Sequence, residues 1–247
     1  MFFGKKKSST PGATTAPTPA PSTGKVDLKK SQDALDGHIV RLQKEKGVDL
    51  TKHRARVFVA LDISGSMSTL FQNGSVQSTL TRLLPIALKF DDNGELEVFV
   101  FNHDCTQMPA MNIHNYKSYV QDVIIRNGYG PSGGTSYAPV IRQTMKAYDD
   151  GSPYPAFGIF ITDGENSDPQ NTDEEVRKSS KKKIFYQFVG IGNEYFRYLQ
   201  KLDDLDGRDA DNTAFVKIAD LGSLTDNQLY SKLLEQYPDW LRAMGIK

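Results

Sequence analysis

The sequence predicts an open, doubly wound α/β fold, with a mostly parallel sheet covered by helices on both faces. Three observations predict it. Near-continuous runs of Val, Ile, Leu and Phe recur along the chain, as they do in strands buried on both faces. Segments with helical spacing of apolar residues separate those runs. The length, 247 residues, suits one such domain with extensions, because a single core grows to roughly 250–300 residues before it divides.

Residues 1–25 come first and look unlike the rest. The stretch "SSTPGATTAPTPAPSTG" has no large apolar side chain, so it cannot bury enough surface to offset its ordering entropy; a disordered tail is expected. The preceding "MFFGKKK" has no apolar stretch behind its lysines and does not read as a secretory signal. A frayed terminus is favoured over a membrane or partner contact. Over 26–47, Leu28, Leu35, Ile39 and Leu42 share one helix face, with Asp27 placed to cap the start and Gly47 to end it.

The domain proper is expected over 50–247. Its strands are 56–62 "RVFVALD", 95–101 "ELEVFVF", 156–162 "AFGIFIT", 184–191 "IFYQFVGI" and a weaker 214–218, with a further weak strand around Gln107–Met111. Helices are expected at 75–89, kinked at Pro85, and at 114–126, 136–148, 173–181, 194–202 and 225–236, with a short piece around Trp240. In a doubly wound sheet ordered 3-2-1-4-5-6 the first and fourth strands are neighbours, and ligands bind beyond their carboxyl ends.

Two acids stand at those ends. The 56–62 strand finishes in Asp62, followed by Ser64 and Ser66; the 156–162 strand runs into Asp163 and Gly164. Between them lies "GPSGGTSYAP" (130–139), where Gly133 and Gly134 permit a tight bend before Thr135. The loop lacks the Gly-Lys-Ser/Thr ending of a phosphate-binding P-loop. Taken singly, Asp-x-Ser-x-Ser is an ordinary strand end and helix cap, and Thr-Asp-Gly an ordinary turn. Together they offer two carboxylates and three hydroxyls, an all-oxygen set suited to a hard cation. Mg²⁺ is expected, with Mn²⁺ or Ca²⁺ as alternatives. Neutral hydroxyls leave the ion poorly neutralised, so an open position would attract a carboxylate from outside.

"DISGS", the Gly-Gly-Thr loop and "TDG" resemble the metal-ion-dependent adhesion site of von Willebrand factor A (VWA) domains, over roughly residues 50–237. The resemblance implies Ser64, Ser66 and Thr135 as direct ligands, with Asp62 and Asp163 acting directly or through water. "GSVQSTLTRLLPIALKFDDNGELEVFVF", "LDDLDGRDADNTAF" and "LYSKLLEQYPDWL" further resemble cytoplasmic bacterial VWA proteins linked to tellurium resistance and toxic-cation stress. That likeness implies a non-enzymatic binding component of a stress system, with an acidic protein ligand, for example a TerD-type calcium-binding stress protein.

Several other residues flank these motifs. His103, Asp104, Tyr129, Tyr137 and Asn166 are candidate rim contacts to a partner. His103, Asp104 and Cys105 with His114 could be read as a soft-metal site, but zinc ligands are usually paired at tighter spacing. The acidic loop 203–212 lacks the order of an EF-hand and reads as a solvated turn, and Lys181–Lys183 as a solvated helix end. A hydrolase or phosphoryl-transfer enzyme would need a base beside the ion; Asp62 and His103 are the candidates, and the second acid of such enzymes is missing. Thirty basic residues balance thirty acidic ones, so no field draws the chain to nucleic acid or anionic membranes. One cysteine excludes an internal disulfide and suits a reducing compartment, so the cytoplasm is expected.

Overall fold

The structure, a computed structural model, describes residues 26–246. The predicted tail at 1–25 lies outside them. Helix α1 (Leu28–Lys46) is capped by Asp27, which accepts from the Lys29 and Lys30 amides, and ends at Gly47 in the left-handed region, φ 69°. It packs against α3 (Ser75–Phe90) and α7 (Asp226–Leu233), and Leu35, Ile39 and Leu42 fill the contact.

The strands are β1 (Arg56–Asp62), β2 (Leu96–Phe101), β3 (Cys105–Met111), β4 (Ala156–Thr162), β5 (Ile184–Ile191) and β6 (Thr213–Ile218). They form a six-stranded sheet ordered β3-β2-β1-β4-β5-β6, parallel except for β3. Alternate residues feed two cores. Val57, Val59 and Leu61, with Ile159 and Val189, face α1, α3, α7 and α8 (Tyr237–Ala243). Phe58, Phe99, Phe160 and Phe188 face α4 (Ala138–Tyr148), α5 (Pro169–Ser179) and α6 (Arg197–Asp203). Each fully buried side chain of this size contributes about 1.5–3 kcal/mol, and the sheet carries such residues on both sides.

Some boundaries differ from the expected ones. The helix expected at 114–126 starts later, as a wide turn Val120–Ile124 followed by a tight one, Ile125–Asn127. Asn112 and Asn115 hold residues 112–115 in a side-chain-bonded turn instead: Asn112 Oδ1 accepts from the His114 amide, and Asn115 Oδ1 accepts from the Asn112 amide. Such local bonds compete with helix. The helix expected at 173–181 begins at Pro169, whose fixed φ suits a first turn. The one expected at 225–236 stops at Leu233, and α8 begins at Tyr237. Helix α3 continues through Pro85 to Phe90. No helix among the described residues is long and apolar enough to cross a membrane.

Candidate functional site

The site lies at the carboxyl ends of β1 and β4, where the sheet reverses order. β1 delivers Asp62, and the chain then turns through Ser64 and a tight turn, Gly65–Met67, into the short helix α2 (Ser68–Gln72). Asp62 is fully buried. Its Oδ1 accepts from the Ser64 amide at 2.7 Å, and its Oδ2 from Thr162 Oγ1 at 2.6 Å and Thr135 Oγ1 at 3.5 Å. Ser64 Oγ lies 3.1 Å from Ser66 Oγ, which donates to Asp163 Oδ1 at 2.7 Å. All five predicted oxygen-bearing residues therefore belong to one hydrogen-bonded set. Asp62, Ser64 and Thr135 form a buried floor, while Ser66 and Asp163 stand at the open lip.

Backbone bonds align the three loops. The Gly65 amide donates to the Gly133 carbonyl at 3.1 Å, the Ser132 amide to Ile63 O at 2.7 Å, and the Ser167 amide to Thr135 O at 2.7 Å. The glycine pair is needed for two reasons. Gly133 sits at φ 75°, and a Cβ on Gly134 would stand 2.7 Å from His103 Cε1. His103 is exposed, and its Nε2 accepts from the Gly134 amide at 3.1 Å, which places the ring proton on Nδ1.

The electrostatics follow from burial. Loss of water pushes the Asp62 carboxyl up to about 6, against the bonds from Thr162 and Ser64 that favour its charged form. Burial also raises Asp163. Asp62 is bonded by hydroxyls and the Ser64 amide, Asp163 by the Ser66 hydroxyl and its own amide, and no ion pair reaches either among the described residues. Among the described residues no cluster of three or more His, Cys, Asp or Glu is placed to ligate a metal; the donors here are two carboxylates and three hydroxyls. That set fits a hard, oxygen-seeking cation and would suit a soft metal poorly.

The candidate rim residues divide. Tyr137 is a core residue and not a rim contact: its ring is fully buried against Phe101, Phe160 and Phe188. Its hydroxyl donates to Gly164 O at 3.2 Å, propping the Thr-Asp-Gly turn from below. Asn166 is occupied in holding its own loop, accepting from the Tyr137 and Asp168 amides and donating to Thr172 Oγ1 at 2.8 Å. Tyr129 is half-buried on the core. Asp104 is exposed beside His103. Cys105 begins β3 and His114 follows its far end, so these two do not meet; burial pushes the Cys105 thiol up to about 12. In the acidic loop, Arg208 is the organiser, bonded to the Leu205 and Asp203 carbonyls and paired with Asp211. Lys182 pairs with Asp149.

Sequence reasoning missed Thr162, Asp168 and Glu165. Thr162 gives Asp62 its shortest bond; a threonine closing a strand one residue before the acid was the available signal. Asp168 accepts from the Tyr137 and Ala138 amides at 2.9 and 3.3 Å, capping α4 from another loop. Glu165 does the same for α6, accepting from the Arg197 and Tyr198 amides. Local spacing carries no sign of a cap supplied from a distant segment.

Sheet order and crevice define a doubly wound α/β domain, and solved von Willebrand factor A structures share the fold. A von Willebrand factor type A protein from Catenulispora acidiphila matches with TM-score 0.51 at 15% identity, covering 76% of this chain and 42% of that one. This chain thus spans less than half of that protein. BatB from Bacteroides thetaiotaomicron matches with TM-score 0.52 at 18% identity, covering 74% and 98%. The SpRpn10 VWA domain matches with TM-score 0.52 at 12% identity, covering 74% and 95%.

The chain belongs to the vWA-TerF-like family, the vWA found in TerF C terminus, whose model matches residues 54–247. The TerF link bears out the resemblance to the tellurium-resistance group. An uncharacterized protein of Bacillus subtilis (strain 168), YcbR, is 38% identical over 225 residues, covering 90% of this chain and 88% of its own.

Proposed function

We propose that this chain is a non-enzymatic, divalent-cation-dependent interaction module that grips an acidic side chain of a protein partner. The single supporting observation is the bonded set of Asp62, Ser64, Ser66, Thr135 and Asp163, whose two carboxylates have no basic partner among the described residues. Mg²⁺ is the expected ion, held by the hydroxyls of Ser64, Ser66 and Thr135, with the two acids direct or through water. When bound, it would supply a Lewis-acidic position for an incoming carboxylate. The family supports a role in a tellurium-resistance or related stress response, with a TerD-type calcium-binding protein as a candidate partner.

A hydrolytic reading has less support. His103, its candidate proton shuttle, already accepts from the Gly134 amide and braces the glycine loop. The test is a calorimetric titration with Mg²⁺ or Mn²⁺. The wild type is expected to take up one ion, and Thr135→Ala to bind it at least about tenfold more weakly, as loss of a metal-site contact commonly does. No heat, together with partner capture that survives EDTA, overturns the reading.

A further inference from the structure

Beside the oxygen site lies a turn with no part in it so far, Gly192–Phe196, between β5 and α6. Tyr195 is 73% exposed, the most exposed large apolar side chain among the described residues. Its neighbour Phe196 points the other way and is fully buried, although its backbone sits in the left-handed region at φ 48°. A bulky residue holds that conformation only when its surroundings over-determine it. The ring lies on Gly190, where any Cβ would stand 2.9 Å from it, and against Phe215.

Other contacts fix the turn around this wedge. Gln200 Nε2 donates to the Tyr195 carbonyl at 3.1 Å, and Lys217 Nζ to the Asn193 carbonyl at 3.2 Å. The Arg197 guanidinium lies over the Tyr195 ring, 5.5 Å from its centre. Glu165, two residues beyond Asp163, holds the Arg197 and Tyr198 amides and so ties the turn to the metal-site loop. An exposed aromatic on a backbone this constrained loses little freedom when covered, which is what makes a good contact residue.

Gly192 and Glu194 of the turn line one hollow of about 430 Å³ with Ser66, Asp163 and Asp220. Tyr195 stands over the adjoining hollow, which Glu194 also lines, beside Glu165, Arg197 and Lys201. Glu194 and Asp220 form no ion pair among the described residues. A cation at the oxygen site would answer Asp163 but leave these two facing the same opening.

We propose that Gly192–Phe196 is the second half of the partner surface. Tyr195 covers an apolar side chain of the partner. Glu194 and Asp220 receive a lysine or arginine lying a few residues from the carboxylate that meets the ion. The partner is thus a protein segment carrying an acid, a cation and an apolar residue close together. This rests on the metal-dependent reading above and names the partner chemistry for the same site.

The test uses an array of immobilised synthetic peptides bearing one fixed Glu, with Lys and Leu at varied nearby positions, and controls with Lys→Glu or Leu→Ser. The full chain is applied in Mg²⁺ and in EDTA. Retention is expected in Mg²⁺ for some Glu–Lys–Leu spacings and to fall at least about tenfold for both controls and for Tyr195→Ala. Glu194→Lys is expected to shift preference to the Lys→Glu peptides, a reversal that misfolding cannot produce. Mg²⁺-dependent retention indifferent to Tyr195, Glu194 and the peptide's lysine overturns this proposal and leaves the metal reading standing. The reverse pattern, with sensitivity to those residues but none to EDTA, supports the surface and overturns the metal reading. No retention of any peptide counts against the surface.

Discussion

Thr162 Oγ1 donates to Asp62 Oδ2 at 2.6 Å, joining the last residues of two neighbouring parallel strands beneath the crevice. Both side chains are fully buried. Thr162→Val keeps the shape and removes the donor, leaving a buried carboxylate under-bonded at a cost of about 1–3 kcal/mol. Urea unfolding in EDTA should show that loss, while the same variant should also bind Mg²⁺ more weakly. An unchanged midpoint would mean the bond adds nothing to the fold.

Ion binding to the folded chain must stabilise it. At a hundred times its dissociation constant a ligand adds about 2.7 kcal/mol, which for a domain of this size raises the melting temperature by about 5–10 °C. Mg²⁺ or Mn²⁺ should produce that shift in the wild type, EDTA should reverse it, and Thr135→Ala should lose most of it. Scanning calorimetry at matched ionic strength decides the matter.

Gly158 in β4 pairs directly with Phe58 in β1. A Cβ at 158 would run into the Phe58 ring, which is stacked on Tyr148 at 4.8 Å. Gly158→Ala should therefore destabilise by about 1–3 kcal/mol through overpacking. The double variant with Phe58→Leu should lose less than the two single changes added together, because the smaller side chain vacates the contested space. Simple additivity in denaturant unfolding would argue against the clash.

His53 is buried, with Nε2 3.0 Å from the Tyr237 hydroxyl and its ring edge-on to Phe90. Burial holds its pKa down at about 4 against an ordinary 6.5. As pH falls, the unfolded chain takes the proton first, so this stabilising term is intact above about 6.5 and is lost on the way down to about 4. Its full size is about 3 kcal/mol. Asp62 acts in the opposite direction in metal-free protein: its contribution is present below about 4 and is lost as pH rises through about 6. The wild type minus His53→Phe, unfolded by urea in EDTA over this range, isolates the histidine. A difference independent of pH would refute its assignment as neutral.

Much of the fold was legible because burial on both faces writes itself into composition. The Val57–Leu61 and Phe157–Ile161 runs admit few other arrangements, and the Asp27 and Gly47 caps act within a few residues of themselves. The site motifs were legible for a related reason: Asp62, Ser64 and Ser66 are fixed by one strand end and the turn beyond it. Tyr137 misled, since a tyrosine beside a glycine loop has the same local sequence whether its ring faces solvent or Phe160.

What the sequence determined by itself was the kind of sheet, the oxygen chemistry at the ends of β1 and β4, and the glycine bend before Thr135. Only the tertiary structure decided which distant groups complete it: Thr162 under Asp62, Asp168 on the start of α4, Glu165 on α6, and Phe196 turned inward so that Tyr195 faces out. The physical reason is range. Propensity, capping and periodicity act over a few residues along the chain. These contacts join segments brought together by burial of the sheet, and their partners are chosen by proximity in space.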